Sequence, residues 1–157
     1  MSIRRLAKRT GLCASALYKS YPSRSALLNT VAADAWISFT DDLRRHEHLR
    51  PAAARFNAMA QDAIDFALAN PHLWQLMVET SLGYCPITEM ALRHLHKAID
   101  LVRSEEPGRE FPPANRCAED WLAHVFGSVA LYRMGLTDEE ILRENCARGA
   151  GRVVGLA

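Results

Sequence analysis

Acidic residues are missing from the first 33 positions of this 157-residue chain, and that gap divides its charge. Arg4, Arg5, Lys8, Arg9, Lys19 and Arg24 stand there unopposed, a segment at +6, while the rest carries 13 Lys/Arg against 18 Asp/Glu and sums to −5. The net charge of +1 conceals the division. A basic segment on an acidic body points to a polyanion as partner of the first part only. Long apolar runs are also lacking. No stretch approaches the ~18 residues a membrane helix needs, and the N-terminus has no signal-peptide core. A cytoplasmic chain with no membrane partner is expected. The four cysteines, Cys13, Cys85, Cys117 and Cys146, are too scattered for a disulfide framework or a zinc site, which leaves reduced, mostly buried thiols. No HExxH, nucleophile motif or Gly-rich phosphate loop appears. The pairs His46/His48 and His94/His96 are i, i+2 and so point to different faces of a helix. No enzyme, metal or cofactor is expected.

Strand signals are missing as well: there is no sustained period-2 alternation and no Asn-Gly or Asp-Gly turn. What is present is helical spacing almost throughout, in a chain long enough to bury a sizeable core, so the fold is expected to be all-α. Ser2 caps a short helix over about 3–10 that Gly11 ends, and a second covers about 14–20 before Pro22. Ser23 caps a long helix to about His46, with Leu27, Leu28, Val31, Ala32, Ala35, Trp36, Phe39 and Leu43 as its stripe. Pro51 suits the first turn of a helix ending near Asn70, and Pro71 opens the next. After a loop at 81–85, Pro86 starts a helix to about Ser104. EEPGREFPP, 105–113, is the longest connection, and a helix over about 114–135 follows, ended by Gly135. Thr137 is expected to cap the last helix, with Glu140 completing a capping box.

Two short basic helices with a tight turn have the spacing of a helix-turn-helix, whose second helix enters the major groove while the first crosses the backbone. Gly11 supplies the turn, and Leu6, Ala7, Leu12, Leu17 and Tyr21 supply a small apolar contact with the long helix behind. Arg4, Arg5, Lys8 and Arg9 are left for phosphates, which gives affinity without base preference. The run IRRLAKRTGLCASALYKSYPSRSALL resembles the DNA-binding segment of the TetR family of bacterial regulators. That family has an "IA" pair, a turn Gly, a late Tyr, a following aromatic and a "Pro/Ser-Ser-Lys" entry. Here these read Leu6-Ala7, Gly11, Tyr18, Tyr21 and Pro22-Ser23-Arg24.

The resemblance implies that Tyr18 and Arg24 contact phosphates and that Ala14, Ser15, Ala16, Lys19 and Ser20 face the groove. Of these, Lys19 alone makes a strong charged contact to a guanine edge, while Ser15 and Ser20 bond weakly. The sequence departs from the family at Cys13, where Ser or Thr is usual, and it begins at the family's second helix, which either a start site placed too far downstream or a natural truncation would explain.

Farther on, AIDFALANPHLWQLMVE and WLAHVFGSVALYRMG resemble parts of the ligand domain of a TetR subgroup, with Phe126-Gly127 at a usual "His-Gly" pair. The resemblance implies a helix-turn-helix segment with its linking helix over 1–46 and a helical ligand-binding and dimerisation domain over 47–157. Trp74, Met77, Tyr84, Met90, His94, Trp121 and His124, apolar bulk with a few polar tips, are the candidate ligand residues. Gly127, Ala130, Gly149 and Gly151 would let the last two helices pack closely on a second copy. The expected function is a homodimeric repressor that binds a roughly palindromic double-stranded operator and is released by a small apolar inducer. The alternative is a helical dimer for a small molecule or partner that has lost DNA binding with the first helix.

Overall fold

The computed structural model describes residues 3–11, 13–80, 86–105, 107–108 and 110–153, without the side chains of 3–6, 52, 53, 86–91, 94 and 150–153. Among these residues there are eight helices and no strand: α1 Ile3–Thr10, α2 Ala14–Ser20, α3 Arg24–Arg44, α4 Ala52–Ala69, α5 Pro71–Glu79, α6 Pro86–Glu105, α7 Ala114–Arg133 and α8 Glu139–Val153. The all-α expectation holds, and most helix limits fall within two residues of those read from the sequence. No helix among the described residues is long and apolar enough to cross a membrane.

The helix ends follow local chemistry. Ser23 Oγ accepts from Ala26 N at 3.0 Å and caps α3. Gly11 and Gly135, both at φ +72°, take the left-handed turns after α1 and α7, where a Cβ would be strained. The cap of α8 differs from expectation. Asp138 Oδ1 accepts from Ile141 N at 2.8 Å and its carbonyl accepts from Leu142 N, whereas the Thr137 hydroxyl is buried without a partner. A carboxylate three residues before Ile141 adds charge to the cap interaction and wins over the hydroxyl one residue earlier.

Helix α4 lies at the centre of the body, packed against α3, α5, α6, α7 and α8. Its buried stripe, Phe56, Met59, Ala60, Ala63, Ile64 and Ala67, meets Leu95, Ile99 and Val102 of α6, Trp121 and Val125 of α7, and Leu142 and Cys146 of α8 in one core. An aromatic layer joins the helices at one side: Trp74 of α5 stacks on Phe126 of α7 at 4.4 Å, and Phe39 meets Trp36 and Trp74 edge-on. Such pairs contribute about 0.5–1.5 kcal/mol each beyond their burial. Along α3 burial is graded. Leu27, Leu28 and Val31 are half-exposed, whereas Ala35, Trp36, Phe39 and Leu43 are buried, so the helix runs from the core outward to α1 and α2.

One buried charge interrupts this core. Arg55 is 1% exposed and donates to Leu49 O at 2.8 Å, Ala98 O at 3.5 Å and Glu105 Oε1 at 3.0 Å, tying α4 to the preceding turn and to α6. Arg50, largely exposed, adds a second cation 3.5 Å from the same carboxylate. On the opposite side Arg143 of α8 reaches Asp65 at 2.8 Å and Gln61 at 3.0 Å on α4.

Candidate functional site

The turn between α1 and α2 is short, and it leaves α2 almost free of the body. No residue of α2 is buried. The Cys13 carbonyl accepts from Ala16 N and Leu17 N and starts the helix, and Tyr21 N closes it on Leu17 O at 2.7 Å. Cys13 makes no side-chain cap bond, as expected for a thiol in place of a hydroxyl. Its Sγ lies 3.3 Å from Ser15 Oγ, and that hydrogen bond is the main cause holding the thiol below its usual range. The buried thiols Cys117 and Cys146 are pushed the other way by desolvation.

Ala7 is buried, with Leu17 and Tyr21 half-buried, on two short helices that pack against each other; Leu6 and Leu12 lie outside the described side chains. Ser15, Ala16, Tyr18, Lys19 and Ser20 all lie on α2, where none is buried, and Tyr18 is 46% exposed. An aromatic ring left that open on a helix with no buried residue is available to a partner. Lys8 and Arg9 at the end of α1 and Arg24 at the start of α3 are exposed, and none of them, nor Lys19, forms an ion pair among the described residues. Arg4 and Arg5 fall on α1, with side chains outside the description. The surface therefore offers unpaired cations flanking a short exposed helix.

The candidate ligand residues are not assembled around one site. Trp74, Met77 and Trp121 are buried in packed core, and the Trp121 indole N–H has no acceptor. Tyr84 lies outside the described residues, as do the side chains of Met90 and His94. His124 instead bonds the Asn145 carbonyl of α8 through Nε2 at 3.0 Å. Two surface clefts flank α7. One, about 630 Å³, runs between α7 and α8 past His124, Gly127, Leu131, Asn145 and Arg148. The other, about 270 Å³, lies between α5 and α7 with Trp74 in its lining, so Trp74 and His124 serve different clefts. Gly149, expected to face a second copy, is used within the chain: a Cβ there would sit 1.7 Å from His124 Nε2. Gly127 and Ala130 stay exposed, with Ala123, Leu131 and Met134, along the outer face of α7.

The helical fold recurs in solved structures. A regulator from Thermus thermophilus, the TetR family transcriptional regulator PfmR, superposes over 98% of this chain and 87% of its own, with a TM-score of 0.72 at 12% identity. The chain has the TetR-family fold. A second match, a protein of unknown function from Rhodococcus sp. RHA1, gives a TM-score of 0.77 at 24% identity over 98% of this chain and 83% of that one. In sequence, 88 residues, 54% of this chain, are 30% identical to the nucleoid occlusion factor SlmA of Pasteurella multocida and span 43% of that protein. No family model matches the sequence. None of these names describes an enzyme. On the TetR-like frame, sequence reasoning missed Arg55 and its Glu105 partner. The signal was there: Arg55 falls on the i, i+4 register of Met59 and Ala63, a buried position occupied by a cation.

Proposed function

We propose that the chain is a homodimeric, ligand-responsive DNA-binding regulator that acts as a repressor. In this reading 1–46 is the reading segment with its linking helix and 47–157 the ligand and dimer domain. The observation that carries it is α2, with Ser15, Tyr18, Lys19 and Ser20 exposed on one short helix between the unpaired cations Lys8, Arg9 and Arg24. Tyr18, Arg24, Arg4 and Arg5 serve as phosphate contacts, and Lys19, with Ser15 and Ser20, as base contacts. A relative named for the nucleoid and a fold shared with a transcriptional regulator support a DNA-facing role.

A mobility-shift assay on the DNA just upstream of the gene, with random DNA beside it, tests the reading. Arg24→Ala and Tyr18→Phe are expected to weaken binding to both sequences alike, and Lys19→Ala to cost about 1–3 kcal/mol on the specific site and relax its base preference. Equal loss on both DNAs for Lys19→Ala removes it from the base contacts. Absence of any shift leaves the helical dimer without DNA binding as the reading.

The second copy is assigned to the outer face of α7 and α8. Ala123, Gly127, Ala130, Leu131 and Met134 form an exposed apolar strip continuous with the groove beside α8, and Ile141 of α8 is exposed as well. Small residues along the strip permit close approach of a two-fold partner, which would present two α2 helices to successive major grooves. Leu131→Asp places a charge in that contact and is expected to give a monomer by sedimentation equilibrium, with unchanged helical circular dichroism. A dimer that survives the substitution sends the interface elsewhere.

A further inference from the structure

The cleft between α5 and α7 combines an apolar floor with one oriented cation. Trp74, stacked on Phe126, underlies it, and Val78, Ala130 and Met134 form its walls, with Val78 57% and Met134 70% exposed. At the rim, Arg133 donates to Pro71 O at 2.8 Å and to Gln75 Oε1 at 3.3 Å. Gln75 in turn donates to Glu79 Oε1 at 2.7 Å. Arg133 has no carboxylate partner among the described residues, so a polar relay holds its guanidinium in place without neutralising it. Glu79 also lines the cleft, but the Gln75 amide occupies one of its oxygens and it forms no ion pair with Arg133.

We infer that this cleft binds a small apolar carboxylic acid, an aromatic or branched-chain one, with its hydrocarbon on Val78, Ala130 and Met134 above the buried Trp74 and its carboxylate on Arg133. A guanidinium fixed at one edge of an apolar floor recognises a carboxylate by charge-assisted hydrogen bonds. The volume, about 270 Å³, sits at the small end of ligand sites and suits a single-ring or fused two-ring acid. The inference rests on the ligand-responsive part of the proposed function and gives that ligand a place and a charge. Ala130 and Met134 belong both to this cleft and to the outer strip of α7, so occupancy bears directly on the face assigned to the second copy.

The test uses 1-naphthoate, the neutral 1-naphthamide and the cationic 1-naphthylmethylamine as probes. Each is titrated into the full chain while the Trp74 indole N–H is followed by NMR, assigned with Trp74→Phe. Naphthoate is expected to shift that signal saturably and to bind about tenfold or more tightly than the amide. Arg133→Met should abolish the difference between acid and amide, and Glu79→Gln should tighten the acid. No saturable shift overturns the site, and tighter binding of the amine, or an acid preference that survives Arg133→Met, overturns the ligand class. Acid binding by a chain that shifts no DNA leaves the site standing and removes only the regulatory reading; DNA binding without acid binding does the reverse.

Discussion

Arg55→Met is expected to lower folding stability by about 3–5 kcal/mol, because removing one partner of a buried ion pair strands the other. Arg55 is almost wholly buried, and its loss leaves Leu49 O without its donor and takes the nearer cation from Glu105. Two features draw the cost toward the lower end: Glu105 keeps some exposure and Arg50 lies 3.5 Å away. Urea unfolding followed by circular dichroism measures the change. The double variant Arg55→Met/Glu105→Gln should recover part of the loss, since the stranded charge is gone while Met fills the volume. A cost below about 1 kcal/mol for the single variant, the level of an exposed pair, shows that the pair does not hold α4 to α6.

Gly149→Ala is expected to destabilise by about 1–3 kcal/mol, the range for forcing extra volume into a packed contact. The new Cβ would meet three atoms of the His124 ring between 1.7 and 2.4 Å, and the ring is held there by the Asn145 carbonyl. His124 lines an open groove, so it has room to swing out, which caps the cost near the lost hydrogen bond plus a shift of α8. His124→Ala alone should cost about 1 kcal/mol, the usual net worth of one hydrogen bond, and Gly149→Ala added to it almost nothing; a double-mutant cycle reads that coupling directly. Additive losses mean that α8 is displaced by another contact. Because α7 and α8 carry the face assigned to the second copy, Gly149→Ala should also weaken dimerisation, whereas Arg55→Met should not.

These two sites show where sequence reasoning stops. The helices were legible because each carries its own punctuation: Gly11, Pro22, Ser23, Pro71, Pro86 and Gly135 start or stop an element through backbone geometry local to a few residues. The basic segment around α2 was legible for a related reason, since charge without acid in 33 positions needs no tertiary information. Partner choice was not. Gly149 has the look of an outward-facing small residue, and only the crossing of α7 and α8 shows that His124 occupies the space. Trp74 and His124 suggested one pocket, yet α7 presents residues 123, 124, 127 and 131 toward one cleft and 130, 133 and 134 toward the other. Asp138 displaced Thr137 as a cap for a reason one residue wide, the geometry that lets a carboxylate reach Ile141 N.

In the proposed function the unpaired cations around α2 bind the DNA backbone. The most direct measurement is the salt dependence of binding by fluorescence anisotropy on a labelled duplex from upstream of the gene. If phosphates are neutralised, log K falls linearly with log salt by about 0.9 per contact, and Arg24→Ala should reduce the slope by about 1 per reading head. No binding at low salt, or a slope that Arg24→Ala leaves unchanged, would contradict the account.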